Sequence, residues 1–110
     1  MSEPLEISCS EVKQALENAA DLLLVDCREQ NEYELVSIDG AMLLPISELQ
    51  DRATELDDHK NGRIVVHCHH GGRSLQVVNW LRGQGYDKAQ SMAGGIDEWA
   101  LEIEPGMTRY

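Results

Sequence analysis

The sequence contains no phenylalanine, and aromatic residues make up only 5% of it. A core must therefore be filled by Leu, Ile and Val, with Trp80 and Trp99 as its large anchors. Basic residues are scarce: nine Lys and Arg stand against 20 Asp and Glu, a formal net charge of −11. That deficit argues against nucleic acid as a partner, because a phosphate backbone rewards basic surfaces. It argues equally against an anionic membrane surface. What it leaves is a solvated acidic face or a basic protein partner. No apolar run approaches the roughly 18 residues of a transmembrane helix. Cysteine is scarce too, with Cys9, Cys27 and Cys68. An odd number without a signal-peptide pattern indicates free thiols in a reducing, cytoplasmic setting. No linker, repeat or low-complexity stretch divides the 110 residues, so residues 1–110 read as one domain.

Strand and helix patterns alternate along the whole chain. Leu5 to Ile7 reads as a short strand. Ser8 and Glu11 form a capping box, followed by a helical stripe of Val12, Ala15, Leu16 and Ala19. Leu22 to Asp26 is a continuous apolar strand of the kind buried on both faces of a parallel sheet. Asn31 to Val36 predicts a short helix and Ala41 to Leu44 a third strand ended by Pro45. Ser47 is expected to cap a helix running to about Leu56, with Asp57 to Gly62 as a turn. Arg63 to His67 is the fourth strand. The helix after it ends near Gly83 or Gly85, where glycine suits a left-handed cap. Ala89 to Met92 is a weaker fifth strand, Gly94-Gly95 a turn, and Ile96 to Leu101 a final helix. Strands joined by helices imply right-handed crossovers and an α/β fold with a parallel sheet covered on both faces. Sites in such folds lie beyond the carboxyl ends of the strands. Cys68 follows one such end and Asp26-Cys27-Arg28 another.

The run His67-Cys68-His69-His70-Gly71-Gly72-Arg73-Ser74 joins the fourth strand to the following helix. Backbone N–H groups converge on an anion at such a junction, and the helix dipole adds positive potential. Both effects lower a thiol pKa, and the thiolate is the reactive form. Cys68 is thus a candidate nucleophile. The competing readings are an inert buried thiol and a His/Cys metal tract. Adjacent residues rarely converge on one tetrahedral ion and no second Cys/His cluster exists, so no metal or cofactor is expected. Asp26 and Arg28 read either as an ordinary ion pair or as a support that braces the loop. Cys27, between them, alternates to the opposite face, as core packing or as a resolving thiol.

Three stretches resemble the rhodanese family of sulfurtransferases. They are Leu24-Val25-Asp26-Cys27-Arg28-Glu29 with Glu32-Tyr33 and Ile38-Asp39-Gly40-Ala41; Ile64 to Ser74; and Met92-Ala93-Gly94-Gly95-Ile96-Asp97-Glu98-Trp99. The ending, from Trp99 to Tyr110, is similar to the rhodanese domains of molybdopterin-synthase sulfurylase-type proteins. Val36-Ser37 stands where many members carry Gly-His. The resemblance implies a three-layer α/β/α fold with a central, mainly parallel five-stranded sheet. It also implies that Cys68 carries sulfur as a persulfide and that Cys68 through Arg73 is the active loop.

On that reading the amides of His69, His70, Gly71, Gly72, Arg73 and Ser74 surround the persulfide. The glycines permit the tight turn. Arg73 braces the loop or binds an anionic donor, and His69 and His70 raise the local potential when protonated. The donor would be thiosulfate or a persulfide. A sulfur-carrier or desulfurase protein is the partner class. Four residues separate Cys68 from Arg73. Cysteine-dependent phosphatases carry one more there, which widens the cradle for a tetrahedral phosphate. The alternative from another class is a binding or redox-regulatory module in which Cys68 transfers nothing.

Overall fold

The computed structural model describes residues 4–18 and 21–110. Five strands form one sheet in the order β1-β5-β4-β2-β3. They are β1 (Glu6–Ile7), β2 (Leu22–Asp26), β3 (Met42–Leu43), β4 (Arg63–His67) and β5 (Ala89–Met92), and every pairing is parallel. The helices are α1 (Cys9–Glu17), α2 (Gln30–Leu35), α3 (Leu49–Arg52), α4 (Gly72–Gly83) and α5 (Gly95–Glu102). β4 lies in the centre between β2 and β5, and its Ile64, Val65 and Val66 are fully buried. This matches its unbroken apolar sequence.

Alternation along the strands sorts the core into two halves. Val25, Cys27, Ile64, Val66 and Cys68 face α3, the 3₁₀ stretch that follows it and α4, where Leu49, Leu56, Val77, Val78 and Leu81 meet them. Leu24, Val65 and Met92 face α1 and α5, against Cys9, Val12, Ile96 and Trp99. The two faces with their helices give the three-layer α/β/α arrangement expected from the sequence.

Local signals place most ends correctly. Ser8 Oγ accepts the Glu11 amide at 3.2 Å and Glu11 Oε1 accepts the Ser8 amide at 3.4 Å, closing the capping box. On α1 the buried side chains are Cys9 and Val12, while Leu16 is exposed; Ala19 lies outside the described residues. α4 ends at Gly83, and Gly85 takes a positive φ of 97° just beyond it.

Two expectations need correction. Ser47 caps no helix: Ile46–Glu48 is a 3₁₀ turn, α3 is only four residues long, and a second 3₁₀ stretch runs from Ala53 to His59. The Ser47 hydroxyl instead donates to Glu29 Oε1 at 2.7 Å, so a distant carboxylate outcompetes the local amides. Trp99 is a core anchor, but Trp80 is only partly buried. Trp80 lines a cleft of about 320 Å³ with Ile46, Leu49, Gln76 and Val77.

Candidate active site

The site forms where β2 and β4 end side by side. Asp26 pairs with His67 in register, and the Cys27 amide donates to His67 O at 3.0 Å. The ladder therefore continues one residue past the strands and sets Cys27 beside Cys68. Both side chains fall in the α3–α4 half of the core, and both are buried.

After Cys68 the chain turns at Gly71, whose φ of 113° is a left-handed conformation that favours glycine. The turn directs amides inward. Gly71 N donates to Cys68 Sγ at 3.1 Å and Ser74 N at 3.3 Å. The Ser74 hydroxyl lies 3.5 Å from the same sulfur, and Ser91 Oγ lies 2.7 Å from Ser74 Oγ. Ser74 Oγ also donates to Gly71 O at 3.1 Å, so its one proton is shared between that carbonyl and a thiolate at Cys68, with Ser91 donating to Ser74. The N-terminus of the 12-residue α4 adds its dipole.

These donors hold the Cys68 thiol well below the ordinary thiol range. The neighbouring Cys27 thiol contributes most, and the Ser74 hydroxyl and the Ser74 and Gly71 amides follow, against the opposing effect of burial. The negative charge belongs on Cys68 rather than Cys27, because the amide donors aim at Cys68 Sγ. Contact with Cys68 and burial push Cys27 up, so it stays a thiol.

The loop carbonyls are turned away from the sulfur by α5. Ile96 N donates to Cys68 O at 2.9 Å and Asp97 N to His69 O at 3.1 Å. Gly95, at φ 61°, passes so close that a Cβ there would lie 2.5 Å from both carbonyl oxygens. A Gly95→Ala chain is expected to shift the loop and weaken the amide donation. The Cys68 pKa should rise toward the ordinary range, and once it exceeds the working pH each further unit lowers the thiolate fraction about tenfold. Ultraviolet thiolate absorbance followed against pH reads this directly. An unchanged titration would show that α5 does not shape the loop.

Arg73 points across to α2 and grips Glu32 with two bonds of 2.7 and 2.9 Å. The Arg73 fork, aided by Tyr110 and the Glu29 amide, lowers the Glu32 carboxyl to about 2. The ion pair ties the loop end to α2. His69 stacks on Tyr110 with ring centroids 3.9 Å apart and a 7° tilt, whereas His70 is exposed and lies 3.9 Å from Asp97.

Asp26 and Arg28 sit on the face opposite Cys68. They form a fully buried pair, with Arg28 Nε and Nη2 donating to the carboxylate at 2.9 and 2.6 Å. The remaining donors of Arg28 reach Val36 O at 2.7 Å, Glu32 O at 3.3 Å and Tyr110 Oη at 3.0 Å. Neither side chain bonds to the sulfur. Their link to the loop is indirect, through Tyr110 to His69 and through α2 to the Glu32–Arg73 brace. The bond to Val36 is to its backbone carbonyl, which any residue at that position supplies. His67 is buried on this same side, 3.9 Å from Asp26, and burial lowers its pKa, so it is neutral.

Sequence reasoning assigned no role to Glu32, Ser91 or Tyr110. Ser91 carried a faint signal, being a polar residue within a strand. Glu32 stood in the motif but had no visible partner, and Tyr110 had none.

Comparisons with known proteins place the chain in a family. The adenylyltransferase and sulfurtransferase MOCS3 of Arabidopsis thaliana is 28% identical over 118 residues, covering 94% of this chain and 25% of that protein. The putative sulfur carrier protein YrkF of Bacillus subtilis is 33% identical over 99 residues, covering 90% of this chain and 52% of that protein. The chain thus spans only about a quarter to a half of these relatives. Among solved structures, the human single-domain sulfurtransferase TSTD1 superposes with a TM-score of 0.80 at 26% identity, covering 91% of this chain and 98% of that one. The rhodanese-like domain family matches residues 8–102, and the chain belongs to that family.

Proposed function

We propose that residues 1–110 act as one sulfurtransferase domain working through a Cys68 persulfide. The observation that carries this reading is the Cys68 sulfur facing the Gly71 and Ser74 amides at a helix N-terminus, donors that lower its pKa. The thiolate attacks the outer sulfur of a donor. With thiosulfate, the donor's S–S bond breaks, sulfite departs with the bonding electrons, and the sulfane sulfur remains on Cys68. A nucleophilic acceptor then attacks that sulfur and restores the thiolate. Amides of the loop from His69 to Ser74 carry the charge of the outer sulfur. Arg73 holds the loop's shape through Glu32.

A protein persulfide is the second donor class, and a sulfur-carrier or desulfurase protein the partner class. The names of MOCS3 and YrkF support that direction. The acidic surface favours a basic docking face on such a partner. A reducing, cytoplasmic setting suits a site whose chemistry needs a free thiolate.

Intact mass after incubation with thiosulfate, and separately with a persulfide-charged cysteine desulfurase, tests the reading. The expected result is a gain of one sulfur atom, reversed by a thiol reductant and mapped to Cys68. Because its pKa is depressed, Cys68 remains ionised as pH falls below the ordinary thiol range. The loading rate should therefore stay nearly flat from neutral to mildly acidic pH. An unperturbed thiol would instead lose about tenfold per pH unit. No gain from either donor would favour a binding or regulatory module.

A further inference from the structure

Cys27 is a second sulfur beside the first, and the transfer cycle above does not use it. It sits one residue beyond β2, opposite Cys68 one residue beyond β4, with the backbone bond from Cys27 N to His67 O fixing the register. Paired residues on neighbouring parallel strands lie about 4.8 Å apart in the hydrogen-bonding direction. That falls within the roughly 4.4–6.8 Å Cα separation a disulfide accepts. Both side chains occupy the same half of the core, so their Cβ vectors leave the same face. Cys9, the remaining free thiol, is in the other half, against the carbonyls of Ala93 and Gly95. Cys27 is buried beside Cys68, so the two sulfurs meet without diffusion.

We propose that Cys27 is an internal resolving thiol that releases the sulfur of a persulfidated Cys68 as hydrosulfide when no acceptor collects it. The Cys27 sulfur attacks the inner sulfur of the persulfide, and its electron pair forms the Cys27–Cys68 bond. The bond between Cys68 Sγ and the outer sulfur breaks, and its electron pair leaves with the outer sulfur. The outer sulfur, already anionic in the persulfide, takes the Cys27 proton and departs as hydrosulfide. Cys27 is oxidised and the outer sulfur is reduced, so no external oxidant is needed. The amides that stabilise the outer sulfur in the persulfide also receive the leaving hydrosulfide. In the resting site Cys27 stays protonated beside the Cys68 thiolate, which prevents two like charges from meeting in the core. A thiol reductant returns the disulfide to the starting state. The domain would thereby vent sulfur it cannot deliver, at the cost of one reduction.

This inference rests on the persulfide reading, and the experiment separates the two. The native chain, Cys27→Ala and Cys9→Ala are each charged with a persulfide-loaded desulfurase and freed of donor. They are then held without reductant and sampled by intact mass and hydrosulfide release. The native chain and Cys9→Ala are expected to lose the added sulfur and become two hydrogens lighter than the reduced chain, with Cys27 and Cys68 peptides joined. Cys27→Ala should keep its persulfide about tenfold longer or more, the advantage of a held intramolecular thiol over bulk exchange. Cys27→Val, which refills the core volume, serves if the alanine chain folds poorly. Persulfides of equal lifetime in the native chain and both Cys27 variants would overturn the inference and leave the transferase reading standing. Failure of every chain to take up sulfur would overturn both.

Discussion

A Cys68→Ser chain is expected to fold like the native protein and to take up no sulfur from any donor. The substitution changes one atom in a side chain that is 1% exposed, and a serine oxygen still accepts the Gly71 and Ser74 amides that now meet sulfur at 3.1 and 3.3 Å. Its net effect on stability should stay within about 1 to 2 kcal/mol, the worth of a rearranged buried hydrogen bond. Chemistry fares differently. A serine hydroxyl is un-ionised near neutrality, and no group here is placed as its base: His67 lies on the opposite face and His70 is turned outward. Oxygen also cannot form the labile bond to sulfane sulfur that a persulfide requires. Sulfur loading should therefore fall to the uncatalysed background while circular dichroism and the denaturation midpoint stay near native. Persistent loading in this variant would move the nucleophile to Cys27 or Cys9 and end the Cys68 mechanism.

Asp26→Ala is expected to cost about 3 to 5 kcal/mol of folding stability, the penalty for leaving a buried charge without its partner. Arg28 and Asp26 are both 0% exposed, and the carboxylate takes Arg28 Nε, Nη2 and the Arg28 amide at 2.9, 2.6 and 3.0 Å. Removing it strands a guanidinium in the interior. A small domain has only about 5 to 15 kcal/mol in total, so roughly a fifth or more would be lost. The same arginine ties Val36, Glu32 and Tyr110 to the end of β2, so α2 should loosen with it. Replacing both partners, as Asp26→Leu with Arg28→Met, should recover much of the loss, because no unpaired charge then remains. Urea denaturation of the three chains decides the matter. A loss below about 1 kcal/mol in Asp26→Ala would mean that the pair is worth no more than a surface ion pair.

Much of the fold was legible because its signals are local. The capping box at Ser8, the unbroken apolar runs of β2 and β4 and the glycines after α4 each act within a few residues. The region after Pro45 misled for a complementary reason. Ser47 has ordinary capping chemistry, but Glu29, 18 residues earlier, takes its hydroxyl. Trp80 misled because a large apolar ring in an amphipathic helix can equally close a core or border a cleft. The location of Cys27 was readable in part. Alternation set it opposite Asp26 and Arg28, but only the order of strands put Cys68 on that same side.

What the sequence by itself determined is the alternation of strand and helix, the acidic surface, and a cysteine at the junction of a strand with a glycine-rich helix start. These follow from side-chain periodicity and backbone freedom over short spans. Only the tertiary structure decided which groups surround that cysteine. Arg73 meets Glu32 across 41 residues, Ser74 meets Ser91 across 17, and the amides of α5 meet the carbonyls of Cys68 and His69. None of these pairs has a local pattern, because each exists only once β4 is seated between β2 and β5. The reason is physical: the order and register of parallel strands are set by packing both faces of the whole sheet, and the loop inherits its partners from that packing.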